Sequence, residues 1–228
     1  MEIFLDTASI KEIKEIMPWG IISGVTTNQK IFLAEKGVRF QDRAREILDL
    51  VNGPLSLELT RTEGSDKELI EEANEYSGWN QSKVVVKVPM FGNGRGLKIV
   101  NMLKKEKIKT NMTCLMTTNQ VLLAAKAGAT YASIFYNRIK DIGEDPLKIL
   151  RDSRKILEDS GLATRIIVGS IRKLEDVSEA AANGAHVITV PYKILVQMPY
   201  NSKTEETIRE FDQAWAEFRI AEGLQIAR

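Results

Sequence analysis

Eight short runs rich in β-branched and aliphatic residues recur along the chain, and their number and spacing limit the folds open to it. They lie at Glu2 to Asp6, Ile21 to Val25, Leu55 to Leu59, Val84 to Val88, Ile108 to Thr113, Tyr131 to Phe135, Arg165 to Gly169 and His186 to Val190. Between them stand stretches with helical spacing, including Phe40 to Val51, Asp66 to Tyr76, Gly94 to Glu106, Thr117 to Ala127, Pro146 to Ser160 and Arg172 to Asn183. Alternation of strand and helix implies a parallel sheet covered by helices, and eight repeats are the number at which that sheet closes. The expected fold is an α/β chain forming a (β/α)8 TIM barrel.

Two segments read as copies of one joint: AAKAGATYASI from Ala124 and AANGAHVITV from Ala181. Each ends a helix on glycine, which accepts the left-handed conformation that closes a helix, and enters a strand almost at once. The last segment, Thr204 to Gly223, places Ile208, Phe211, Trp215 and Phe218 at spacings of three and four. It is expected to be an amphipathic helix in need of a surface to cover. The chain is thus read as one domain, 1–228, with the barrel at about 1–200 and a helical extension at about 203–223. A homo-oligomer joined through that extension is expected.

Composition narrows the function classes. The 228 residues are 43% hydrophobic and 28% charged, enough for one sizeable core. Thirty-two basic against 31 acidic residues leave a formal charge of +1, so no global field favours nucleic acid or an anionic membrane. Any anion must be met locally, by a small molecule. The opening MEIFLDTASIKE does not suit a secretory signal and no apolar run reaches spanning length, which points to a cytoplasmic protein. With Cys114 and His186 each alone in their class, neither a disulfide nor a soft-ligand metal set is expected, and no cofactor.

In a barrel of this kind chemistry sits at the C-terminal ends of the strands. Polar residues gather at those ends here: Asp6, Asn28, Glu58, Lys87, Asn111, Thr113, Ser133, Ser170 and Arg172. Lys87 interrupts VVVKVPM, a run otherwise fit for full burial. A desolvated amine can attack a carbonyl; the bland alternative is a lysine that reaches the rim or pairs with Glu58 or Asp6. Asp6 has its own alternative, capping the helix that follows. Alternation puts Ser56 and Glu58 on one face of their strand, and an amine beside two carboxylates is the minimum set for imine chemistry. Arg138, with Ser170 and Arg172 at a helix N-terminus, would clamp an anionic group. The glycine-rich FGNGRG at 91 to 96 lacks a full nucleotide-binding fingerprint and reads better as a lid or the start of a helix.

Several motifs in register resemble those of the transaldolases, in particular the short subfamily that includes the fructose-6-phosphate aldolases. They are FLDTA with Asp6, GVTTN with Asn28, VVVKVPM with Lys87, KTNMT with Asn111 and Thr113, AAKAGATY, and GSIR with Ser170 and Arg172, and they run from Met1 to about Leu195. The resemblance implies that Lys87 forms a Schiff base, that Asp6 handles the C4 hydroxyl proton, and that Glu58 and Thr113 hold the water of imine formation. It implies further that Asn28, Asn111 and Ser133 hold a dihydroxyacetone unit while Arg138, Ser170 and Arg172 bind a terminal phosphate or sulfonate.

The aldolases of the family resemble each other in having glutamine and tyrosine where this chain has Glu58 and Phe135. That difference favours transfer of the unit over its release; release, or a barrel that binds sugar phosphates without turnover, are the alternatives. The chain also departs from the family pattern. Gln29 and Lys30 replace proline and serine, Tyr136 and Asn137 replace a small pair, and a His-Pro element is replaced around Met198 and Pro199. Thr27, Gln29, Lys30, Tyr136 and Asn137 are therefore candidate specificity positions at the mouth.

Overall fold

The computed structural model describes residues 1–221. Eight strands, β1 (Glu2–Asp6), β2 (Ile22–Thr26), β3 (Leu55–Glu58), β4 (Val84–Pro89), β5 (Thr110–Leu115), β6 (Tyr131–Phe135), β7 (Arg165–Gly169) and β8 (Val187–Pro191), pair in parallel in chain order. Pairing of β1 with β8, from Glu2 opposite Val187 to Asp6 opposite Pro191, closes them into a barrel. The fold is the expected (β/α)8 TIM barrel. Its helices are α1 (Ile10–Ile16), α2 (Gln29–Ala34), α3 (Phe40–Leu50), α4 (Asp66–Trp79), α5 (Arg95–Lys105), α6 (Thr118–Ala127), α7 (Tyr136–Asp141), α8 (Pro146–Asp159), α9 (Leu174–Ala182), α10 (Tyr192–Leu195) and α11 (Ser202–Ala221).

Two compact units divide the chain. Met1–Ile194 holds the barrel, and a second unit from Leu195 onward holds α11. The expected amphipathic helix is present over Ser202–Ala221, with Ile208, Phe211, Trp215 and Phe218 exposed. Positions 222 and 223, also expected in it, lie outside the described residues. No helix among those described is long and apolar enough to cross a membrane.

Local chemistry accounts for most element ends. Ser65 and Glu68 form a reciprocal capping box at the start of α4, and Asp145 followed by Pro146 opens α8. Gly128, at φ +96, closes α6 as its motif suggested. Gly94, at φ +79, precedes α5, so the glycine-rich stretch is the start of a helix. The fifth strand begins at Thr110 and not at Ile108, because the Ile108 amide turns back to the Leu103 carbonyl and completes the end of α5.

The barrel interior is layered by strand alternation. Phe4, Val85, Tyr131, Ile167 and Val187 form a buried cluster, with the Phe4 and Tyr131 rings edge to face at 6.1 Å. Gly24 makes room for it: a Cβ there would come within 2.9 Å of the Phe4 ring and 2.8 Å of the Pro54 carbonyl. Two residues further along the same strands, on the same face, stand Asp6, Lys87, Ser133, Gly169 and Thr189. An apolar floor therefore supports a polar mouth.

His186 sits at the opposite end of β8, where its Nδ1 accepts the Ile166 amide at 3.0 Å. Burial, helped by the charges of Arg154 and Arg165, depresses its pKa from 6.5 to about 4. The unfolded chain binds a proton below 6.5 that the folded chain refuses until about 4. The stability His186 supplies is therefore complete above that range and is lost as pH falls through it. In His186→Asn, whose side-chain oxygen can accept the same amide, the decline in Tm between pH 6.5 and 4 should be shallower than in wild type; parallel declines would remove His186 as a source of acid sensitivity.

Candidate active site

Lys87 projects into the barrel because β4 alternates: Val85 fills the floor and the next inward position is the lysine. It stands in register between Glu58 of β3 and Asn111 of β5. Its Nζ lies 3.0 Å from Glu58 Oε2 and donates at 3.0 Å to the Thr27 carbonyl. The two side chains are only 7% and 11% exposed, so water screens the pair poorly. Thr27 is anchored in turn, since its amide and its hydroxyl both donate to the Ser56 carbonyl. Thr27 thus acts through its backbone, aiming the lysine. The pairing weighed as the bland alternative for Lys87 exists, but its partner is itself a member of the polar cluster.

Asp6 ends β1 and receives the Thr26 hydroxyl at 2.7 Å. Thr26 is also hydrogen-bonded to Thr189 of β8. Asp6 does not cap α1, whose N-cap Ser9 makes no side-chain cap bond; the turn before the helix is held by the Ser9 amide donating to Thr7 Oγ1 and the Thr7 hydroxyl donating to Glu12. Asp6 is thereby left facing the lysine. Burial raises its pKa above the ordinary value, against the Lys87 ammonium and the Thr26 hydroxyl, which lower it; Glu58 adds to the rise. A carboxyl so placed suits proton transfer in both directions.

A hydrogen-bond chain crosses the mouth beside the amine. Ser133 donates to Asn111 Oδ1 at 2.8 Å, and Asn111 Nδ2 donates to Ser56 Oγ at 3.1 Å. Thr113 is fully buried and its hydroxyl has no protein partner among the described residues. The register of β5 shifts after Met112, and Cys114 adopts φ +63, which turns the strand end so that Cys114 also lines the mouth.

Two connected cavities meet at Asn28, Lys87, Phe135 and Arg138. One, of about 130 Å³, is completed by Asp6, Thr26, Asn111, Ser133, Gly169, Ser170 and Thr189. The other, of about 260 Å³, is completed by Gln29, Lys30, Glu58, Cys114 and Met116. Arg138 stands with its guanidinium 5.7 Å from the Phe135 ring centre and, among the described residues, forms no ion pair. Asn28 caps α2 by accepting the Ile31 amide, and Gln29 donates to the Leu59 carbonyl.

Of the candidates named from the sequence, Thr27 and Thr113 line neither cavity, and Arg172, Tyr136 and Asn137 lie away from this mouth. Arg172 lies before α9, which begins only at Leu174, and its guanidinium forms two hydrogen bonds with Asp141, both groups about half exposed. The helix end expected to offer free amides is also taken, since Asp176 accepts the Arg172 and Lys173 amides. Tyr136 and Asn137 are buried behind the wall, the tyrosine bonded to Glu179 and the asparagine to Ser170 and Asp176. Conversely, Thr26, Cys114, Met116, Gly169 and Thr189 line the cavities without having been singled out. Alternation back from Thr26 would have found the first, had β2 been carried one residue further.

The sequence profile described as Transaldolase/Fructose-6-phosphate aldolase matches residues 3–226. The chain belongs to the transaldolase/fructose-6-phosphate aldolase family. A probable transaldolase of Thermoanaerobacter sp. (strain X514) is 43% identical over 94% of this chain and 97% of its own. A probable transaldolase 2 of Listeria monocytogenes is 42% identical over 98% of this chain and 100% of its own. These likenesses make the chain an enzyme of the transaldolase family.

Solved structures are similar at the level of fold alone. A flavocytochrome b2 double mutant with pyruvate bound superposes with a TM-score of 0.58 and 15% identity, over 80% of this chain and 52% of that one. Inosine 5′-monophosphate dehydrogenase from Legionella pneumophila gives 0.58 and 14%, over 85% and 58%. The chain spans little more than half the length of either.

The raised pKa of Asp6 has a consequence for stability. Its charged form is disfavoured in the folded state, so the penalty is absent below the ordinary value of 3.8 and grows as pH rises through the folded value. Asp6→Asn should therefore raise Tm at neutral pH, by roughly 2–4 °C per kcal/mol of penalty removed, and lose that advantage in acid. A Tm at neutral pH equal to or below that of wild type would show that Asp6 is not held at a cost.

Proposed function

We propose that the enzyme is a lysine Schiff-base transaldolase. It would transfer a dihydroxyacetone unit from a ketose with a terminal phosphate or sulfonate to an aldehyde. The observation that carries this reading is Lys87 Nζ held 3.0 Å from Glu58 in the mouth, with Asp6 facing the same amine. The lysine amine adds to the ketose C2 carbonyl, and the carbinolamine loses water to form the imine. Glu58 and Thr113, whose hydroxyl lacks a protein partner, are suited to hold that water. Asp6 then takes the C4 hydroxyl proton as the C3–C4 bond breaks, so that C4 departs as an aldehyde and the bonding pair passes to the iminium, leaving an enamine on Lys87. The enamine carbon adds to the acceptor carbonyl, Asp6 returns the proton, and water releases the new ketose.

Asn28, Asn111 and Ser133 would hold the dihydroxyacetone hydroxyls. Arg138, with Ser170 across the smaller cavity, would meet the terminal anion. Fructose 6-phosphate or its 6-sulfonate analogue fits this reading as donor, with glyceraldehyde 3-phosphate or erythrose 4-phosphate as acceptor. Lys30 and Gln29 border the larger cavity, where they would tune which ketose is accepted. A second copy of the chain is the proposed cover for the exposed apolar residues of α11, in a cytoplasmic homo-oligomer.

Transfer is favoured over release by Glu58 and Phe135, which flank Lys87 without a phenol to assist imine hydrolysis. Incubation with fructose 6-phosphate and borohydride should attach a reduced three-carbon adduct to wild type and none to Lys87→Met, which keeps the side-chain volume. A trapped adduct in the variant would end the Schiff-base reading.

Glu58→Gln combined with Phe135→Tyr should raise free dihydroxyacetone, formed without acceptor, by more than the two single changes multiplied together, because both side chains flank one reaction centre. Wild type that already releases dihydroxyacetone as fast as it transfers it is an aldolase instead.

A further inference from the structure

Ser170, at the end of β7, adopts φ +60, an uncommon conformation for a residue with a side chain. Such a backbone persists only where its surroundings hold it. Here the Ser170 carbonyl accepts two bonds from one residue, the Asn137 amide at 3.3 Å and Asn137 Nδ2 at 2.8 Å. The other Nδ2 hydrogen goes to Asp176 Oδ2 at 2.6 Å. Both neighbours are acceptors, so only the amino end of the carboxamide can face them.

Asp176 extends the tie. It accepts the Arg172 amide at 2.9 Å, the Lys173 amide at 3.0 Å and Lys140 Nζ at 3.4 Å. Burial alone would raise its pKa, but these donors together with Asn137 outweigh burial and hold it below the ordinary carboxylate value. With Asn137 7% and Asp176 2% exposed, solvent competes little for these bonds. The loop that carries Ser170 into the mouth is thus fastened at three points to residues 137 and 176. The residue after Asn137 is Arg138, which lines the same cavity as Ser170.

We propose that Asn137 is a positioning residue for anion recognition, holding Ser170 at the spacing from Arg138 that a terminal phosphate or sulfonate requires. It deepens the reading of the site as one for an anionic ketose and rests on it. Loss of the carboxamide would let the loop relax from its left-handed turn, loosening the contact with the anion and leaving the chemistry at Lys87 in place.

The test compares wild type, Asn137→Ala, and the exchange Asn137→Asp with Asp176→Asn, using fructose 6-phosphate, neutral fructose, and inorganic phosphate as inhibitor of fructose turnover. In Asn137→Ala, KM for fructose 6-phosphate and the phosphate inhibition constant should each rise on the order of tenfold, the scale of one lost hydrogen bond to a charged group. Its kcat, and turnover of fructose, should stay within about twofold, which also shows that the variant folds. The exchange restores a carboxamide–carboxylate bond between 137 and 176 but sets a carboxylate against the Ser170 carbonyl, so its KM should stay raised. A wild-type KM in either variant, or an equal loss on fructose, overturns the role of Asn137. If wild type neither prefers fructose 6-phosphate over fructose nor is inhibited by phosphate, the anionic-donor reading fails first and the positioning role falls with it.

Discussion

An ammonium inside a closed barrel is the constraint around which the rest of this structure is arranged. Lys87 lies among the buried valines of β4, where an unpaired charge would be costly, and Glu58 and the Thr27 carbonyl meet it at 3.0 Å each. Parallel register makes that arrangement possible, because Glu58 and Lys87 are Cα partners on adjacent strands and need only point inward. The apolar floor beneath them supplies packing and shuts water out from below. Removing Lys87 would leave Glu58 and Asp6 without the cation that both face, so the lysine is a structural obligation of the mouth.

The mouth divides its work between strands and loops. Strand residues hold the polar cluster around Lys87, where the tilt and spacing of neighbouring strands fix Asp6, Glu58, Lys87, Asn111 and Ser133 relative to one another. Residues beyond the strand ends, Arg138 and Ser170, line the other side of the cavity, and there hydrogen bonds replace sheet register as the source of order. Ser170 owes its place to Asn137 and Asp176, both outside the cavity. Variation at such supporting positions would shift the loop side of the cavity and leave the strand-borne groups in place.

Burial at Asp6 acts in two directions. A carboxyl pushed toward its neutral form by burial is suited to exchanging protons, and the same burial opposes folding at neutral pH. The Lys87 ammonium and the Thr26 hydroxyl ease the opposition without removing it.

The order of secondary structure, the closed barrel and the gathering of polar residues around Lys87 were legible in the amino-acid sequence. Period-two alternation and glycine-ended helices are local signals, and a lysine within a run of valines is an anomaly visible without coordinates. What only the tertiary structure decided are the contacts made between distant segments. Arg172 looked free at a helix start; an aspartate 31 positions away holds its guanidinium. Tyr136 and Asn137 looked like mouth residues because they precede Arg138, yet helical geometry turns them behind the wall, toward Glu179, Ser170 and Asp176. Cys114 reaches the cavity through a shift in strand register that no local pattern announces. Local patterns set which face a strand residue occupies, whereas the partner of a long side chain depends on which remote segment folds against it.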